Sequence, residues 1–162
     1  MKHDRPGSAA DVRADLRVGL HWKEQLQFAT GPAGVAPHVL DGNTKVAPSP
    51  PQVLLEALAG CVSVDVVLIL EKQRTPAASI SCDITAERAD GKPRRIVKVH
   101  LHYMIAGEGI TYDKAMRAIE LSVTKYCTVR DTLDPEMPVT WSLDLSGEVR
   151  GSRAVALEEV PG

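Results

Sequence analysis

The stretch VLLEALAGCVSVDVVLIL, from Val53 to Leu70, sets a condition that the rest of the chain has to meet. Its apolar residues go nearly all the way round a helix instead of forming one stripe, so the helix they predict has to be covered by protein on most faces. The run has the length of a short membrane span. Glu56, Ser63 and Asp65 fall inside it, however, and carboxylates are costly in the middle of a bilayer. It is therefore read as a buried central helix, with no membrane partner. One chain of 162 residues hardly wraps such a helix by itself, so two copies are expected to share one core.

The flanks fit an α+β fold around that helix. Before it, Leu16, Val18, Leu20, Trp22, Leu26 and Phe28 alternate with polar residues, the period of half-buried strands, with a turn near Glu24. A second turn at TGPAG and a short strand in PHVLDG complete an antiparallel meander, and DGNTKVAPSPP ends it. Ser49 is placed to cap the helix, with Pro50 and Pro51 in a first turn whose amides need no partner. The helix is expected to end near Gln73.

SISCDITAER and RRIVKVHLHYMIAG then read as a β-hairpin. Val97, Val99, Leu101, Tyr103 and Ile105 share one face of its second strand; Lys98, His100, His102 and Met104 share the other. Thr111 is the expected cap of a second helix, with Met116, Ile119, Val123, Tyr126 and Cys127 on its apolar face. VTWSLDL is a last strand. The expected organisation is one domain over 16–147, a polar N-terminal extension over 1–15 and a polar tail over 148–162.

Charge narrows the partners. Nineteen basic residues face twenty-one acidic ones, with no basic patch and six aromatics, so nucleic acid is not invited and a small molecule is. The polar N-terminus lacks the apolar segment of a signal peptide, which points to the cytoplasm. Three cysteines in a reducing compartment read as buried or redox-active thiols rather than a disulfide framework.

Locally, Cys61 reads as a small apolar residue before it reads as a nucleophile, because burial raises a thiol's pKa. Asp65 lies one turn further on the same face. Cys127 is flanked by Lys125 and Arg130, cations able to stabilise a thiolate. Cys82 alternates in phase with Ile80 and Ile84 and belongs to the core. His100 and His102 offer two metal ligands, with His21 or Asp83 as distant candidates for a third, too few for a metal to be expected. There is no GxSxG elbow, phosphate loop, CxxC or HExxH, and no cofactor is expected.

APSPPQVLLEALAGC, SVDVVLILEKQR, a strand containing AER, then LHY and LSVTKYCTV together resemble the OsmC/Ohr family of osmotically induced and organic hydroperoxide resistance proteins, its YhfA-like branch above all. The resemblance covers about Trp22 to Leu143. It implies an OsmC-like α+β subunit in an intertwined homodimer, with the cysteine-bearing helices at the centre. It further implies a thiol-dependent peroxidase acting on small hydrophobic hydroperoxides. Cys61, after LAG, would attack the O–O bond and become a sulfenic acid; Cys127, in KYC, would close a disulfide with it; and a dithiol reductant would reopen that disulfide. The family's activating glutamate, ten positions before the attacking cysteine, is replaced by Pro51, and the meander between Trp22 and Asn43 has no arginine. Arg88, Lys125 and Arg130 are the candidate substitutes. The alternative is a non-catalytic dimer that binds a small apolar ligand or senses oxidants through the same cysteines.

Overall fold

The computed structural model describes residues 15–146; the polar segments that precede and follow them lie outside the described residues. The chain divides between Val53 and Leu54 into two compact units.

The first unit carries the expected meander: β1 (Gly19–Glu24), β2 (Gln27–Gly31) and β3 (His38–Asp41), antiparallel and in sequence order. The β1–β2 turn falls at Gln25, whose φ of 45° gives the left-handed backbone a tight reversal needs. Trp22 pairs with Phe28, and Phe28 with Leu40. One expectation is corrected here. The alternation in β1 predicted a half-buried strand, but every residue of β1 is exposed, Trp22 to 67% and Leu20 to 58%.

Asp41, buried at the end of β3, accepts the backbone N–H groups of Asn43, Lys45 and Val46 at 2.8, 3.0 and 3.1 Å. The Asn43 bond leads in holding its carboxyl below the usual range against the cost of burial. This folds the loop back, and the Asp41 N–H donates to the Pro48 carbonyl just before the helix. Ser49 then begins α1 (Pro50–Lys72): its N–H and its hydroxyl both donate to the Gln52 side-chain oxygen at 2.8 Å, the reach-back half of a capping box.

In the second unit β4 (Ser79–Arg88) and β5 (Ile96–Ala106) form the hairpin, and β6 (Val139–Ser146) pairs with the other edge of β5 in parallel. A parallel pair requires a crossover. Here it consists of α2 (Tyr112–Leu121), a π-helical turn (Ser122–Tyr126) and α3 (Thr128–Thr132). Val99, Leu101, Tyr103 and Ile105, all on one face of β5, join Leu58, Val62, Val66 and Leu70 of α1 and Ala115, Ala118 and Ile119 of α2 in one core.

Within the single chain the central helix is buried along one side. Leu58, Val62, Val66 and Leu70, four residues apart, form a fully buried stripe, while Leu54, Val64, Val67 and Leu68 stay 39–61% exposed. Within one chain the core covers one side of α1 and leaves the opposite apolar side open. Among the described residues α1 is the one helix long and apolar enough to cross a bilayer. Its polar groups are nevertheless tied into protein: the Ser63 and Tyr103 hydroxyls are 3.0 Å apart, and Ser122 Oγ donates to Asp65 at 2.9 Å.

The second predicted helix is also corrected. Thr111 caps α2 by accepting the Lys114 N–H, as expected, but the helix does not run through Cys127. Ser122 is fully buried and turns its hydroxyl to the Val62 carbonyl and Asp65, while Thr124 donates back to the Glu120 carbonyl at 2.7 Å. Such side-chain bonds compete with the helical ladder. The backbone widens to a π turn and breaks at Cys127, leaving Tyr126, expected on the apolar face, 49% exposed.

Candidate functional site

The break at Cys127 gives the two cysteines of interest their geometry. Cys127 takes an extended backbone, φ −70° and ψ 105°, and becomes the N-cap of α3. The amides that follow it start a helical turn and have no intrahelical carbonyl to bond. Those of Thr128 and Val129 favour the thiolate of Cys61, which sits half-buried at the start of the fourth turn of α1. Cys61 Sγ also lies 3.8 Å from the Thr128 hydroxyl.

The two thiols are placed unequally. Burial pushes the Cys61 thiol up, but the Val129 amide, the Cys127 side chain, and the hydroxyl and amide of Thr128 together outweigh it and hold Cys61 below the ordinary thiol range. Cys127 is driven the other way, first by burial; the Arg130 N–H, which its sulfur accepts at 3.3 Å, opposes the rise, and neighbouring Cys61 adds to it. Cys61 is thus the more acidic thiol of the two. A thiolate beside a protonated thiol is suited to oxidation at the first and condensation with the second.

None of the three candidate cations supplies this activation. Arg88 Nε donates to the Arg94 carbonyl, Lys125 Nζ lies 5.4 Å from the centroid of the Tyr126 ring, and Arg130 spans the carbonyls of Asp134, Pro135 and Met137. The Arg130 backbone N–H serves Cys127, not Cys61. The groups that matter at Cys61 are the Val129 and Thr128 amides, the Cys127 side chain and the Thr128 hydroxyl, which a search for charged residues passes over. The signal in the sequence was the Thr128 that follows the cysteine.

Cys82 stands where its alternation placed it, half-buried against the core and opposite Tyr103, with burial pushing its thiol to about 11. On the other face of the sheet the Ser142 hydroxyl lies 2.9 Å from His100 Nε2 and 2.8 Å from His102 Nδ1, and Thr140 is 2.8 Å from His100 Nδ1. His102 Nε2 faces Asp144 at 3.4 Å. Hydroxyls thus occupy three of the four ring nitrogens, and among the described residues no three His, Cys, Asp or Glu side chains converge on a metal position.

A groove of about 470 Å³ opens beside the pair. Cys127 forms part of its wall, with Val123, Leu133, Val139 and Trp141 as apolar lining and Lys125 and Arg130 as cations; Cys61 does not line it.

A family model described as OsmC-like protein matches residues 41–142. Protein YhfA of Escherichia coli K12 is 32% identical over 131 residues, which span 80% of this chain and 98% of YhfA. The crystal structure of an OsmC-like protein from Mycoplasma pneumoniae superposes with a TM-score of 0.70 at 16% identity, covering 85% of this chain and 99% of that one. An organic hydroperoxide resistance protein OsmC from Legionella pneumophila superposes with a TM-score of 0.58 at 15% identity, covering 83% and 100%. At those identities the two structures speak for the fold alone.

Proposed function

Since the chain belongs to the OsmC-like protein family, we propose that it is a thiol-dependent peroxidase that reduces organic hydroperoxides through Cys61. The observation that carries this reading is the placement of the two cysteines: Cys61 Sγ lies 3.8 Å from the hydroxyl of Thr128, the residue that follows Cys127, and the neighbours there favour the Cys61 thiolate over that of Cys127. The fold is one that a protein named for organic hydroperoxide resistance also has.

The Cys61 thiolate attacks one oxygen of the O–O bond, which breaks to give Cys61 sulfenic acid and an alkoxide that leaves as the alcohol after taking a proton. The Cys127 sulfur then attacks the sulfenic sulfur, and the Cys127 proton and the sulfenic hydroxyl leave together as water. Two electrons from a dithiol reopen the disulfide. The main-chain donors at Cys61 replace the family's arginine and glutamate as the source of thiolate stabilisation. Small exposed Ala57 and Gly60 on α1 leave room beside the sulfur for an alkyl group.

We further propose that the working unit is a cytoplasmic homodimer. The exposed apolar side of α1, exposed Leu16 and Val18 just before β1, and exposed Leu20 and Trp22 within it support this, since apolar surface of this extent favours a partner.

Consumption of cumene hydroperoxide with a dithiol reductant tests the activity. Cys61→Ser is expected to abolish turnover, and Cys127→Ser to leave a sulfenic acid at Cys61 that dimedone traps. Wild type no faster than Cys61→Ser would leave the ligand-binding dimer as the better reading.

A further inference from the structure

Ser122 holds on to both of the elements that carry the thiol pair. Its side chain grips α1: the hydroxyl lies 3.1 Å from the carbonyl of Val62, the residue next to Cys61, and donates to Asp65, one turn further on, at 2.9 Å. Its main chain grips Cys127, whose N–H donates to the Ser122 carbonyl at 2.9 Å and closes the π turn. Two hydrogen bonds in series therefore run from the part of α1 that carries Cys61 to the backbone of Cys127. Ser122 itself is fully buried.

We propose that Ser122, anchored by Asp65, is a positioning residue for disulfide closure: it holds Cys127 where its sulfur meets that of Cys61. The inference rests on the Cys61–Cys127 disulfide proposed above.

The first attack and the closure draw on different supports. Against the cost of burial, the Cys61 thiolate is favoured by the Val129 amide, the Cys127 side chain and both donors of Thr128. All but one of these belong to α3, which has its own tether in the Arg130 guanidinium on the carbonyls of Asp134, Pro135 and Met137. Closure makes a further demand on Cys127. Its sulfur accepts the Arg130 N–H at 3.3 Å and gives that bond up as it bonds to Cys61. The bond from its N–H to Ser122 does not involve the sulfur and survives the step. Intramolecular reactions depend steeply on such placement. Slow closure has a chemical cost, because a sulfenic acid left waiting at Cys61 meets a second hydroperoxide. That peroxide transfers one oxygen to the sulfur, leaves as the alcohol and gives the irreversible sulfinic acid.

Closure can be read without peroxide, on the full chain carrying Cys82→Ala, whose thiols are Cys61 and Cys127. 2,2′-Dipyridyl disulfide reacts with half-buried Cys61 and releases one thiopyridone. Cys127 then attacks the Cys61 sulfur, the bond to the remaining pyridyl sulfur breaks, and a second thiopyridone leaves with the Cys127 proton. Ser122→Ala is expected to slow the second release about tenfold and the first less than about threefold. Asp65→Ala, which removes the anchor and leaves the Val62 carbonyl, should slow the second release about threefold, and Asp65→Asn, which keeps an acceptor, should restore it. In excess cumene hydroperoxide Ser122→Ala should accumulate Cys61 sulfinic acid about tenfold faster than its parent, read by mass spectrometry.

A second release as fast in Ser122→Ala as in its parent, or both releases slowed alike, would overturn the proposal. If Ser122→Ala does not fold, the two Asp65 variants decide by the same comparison. If dipyridyl disulfide closes the pair and the hydroperoxide does not, the peroxidase reading fails and the positioning role is still judged by the second release. A parent that releases one thiopyridone only would refute both the disulfide and the positioning role.

Discussion

Cys61 Sγ and Thr128 Oγ1 lie 3.8 Å apart, joining the fourth turn of α1 to the first residue of α3. The hydroxyl is one of several donors that hold the Cys61 thiol below its ordinary range, and it is the one a substitution can remove without disturbing the main chain. Alkylation of Cys61 is expected to rise with pH to a midpoint below that of free cysteine, because the reactive thiolate is populated earlier. Thr128→Val should move that midpoint upward and slow alkylation at pH 7 severalfold. Iodoacetamide kinetics on a Cys82→Ala background reads both. An unchanged midpoint would remove the hydroxyl from the activation.

Asp65 stands one turn beyond Cys61 but answers to Ser122. The fully buried hydroxyl donates to the carboxylate at 2.9 Å and lies 3.1 Å from the Val62 carbonyl. Ser122→Ala should cost about 1.5–3 kcal/mol, as for a lost hydrogen bond to a charged group, read by urea denaturation under reducing conditions. Ser122→Thr, which keeps a hydroxyl, separates loss of the bond from loss of volume.

Alkaline stability should carry a signature of Cys82. Burial raises its pKa from 9.0 to about 11, so the folded chain keeps this proton after the unfolded chain has released it. Stability from this group is complete below pH 9 and declines as pH rises toward 11. The melting temperature of Cys82→Val should fall less steeply than that of the wild type over this window. Parallel curves would contradict the assignment.

The open side of α1 makes a prediction about assembly. Light scattering should give the mass of two chains. Leu68→Lys with Val64→Lys, both exposed in the single chain, should give one. A wild type that runs as a monomer would refute the dimer, and a variant that stays dimeric would place the interface elsewhere.

Much of this was legible in the residues. The bounds of α1 follow from Ser49 and the apolar run, and the inward phase of Val99, Leu101 and Tyr103 follows from strict alternation. Cys82 was recognisable as core for the same reason. What escaped was the non-local part. β6 pairs in parallel with β5, and such pairing leaves no mark in either strand's own sequence. The apolar spacing from Met116 to Cys127 continues across the π turn, so the periodicity could not reveal a break caused by Ser122 reaching for α1. The source of Cys61 activation was sought in side-chain charge, whereas it lies in uncharged groups, with the Val129 backbone amide, a group every residue but proline possesses, leading them.

The π turn also makes the position of Cys127 a matter of counting. A π turn accommodates one residue more than the α-helical ladder would, and each residue of an α-helix rotates the chain by about 100°. The meeting of the two sulfurs is therefore encoded in the number of residues between Leu121 and Cys127 as much as in their identities. Deleting Thr124 would let the ladder close, and Cys127 would be carried about a quarter-turn round the helix axis from Cys61 with every donor residue still present. Chain length in this segment acts as a switch for bond formation, and conservative replacements there are expected to be far milder than a single insertion or deletion.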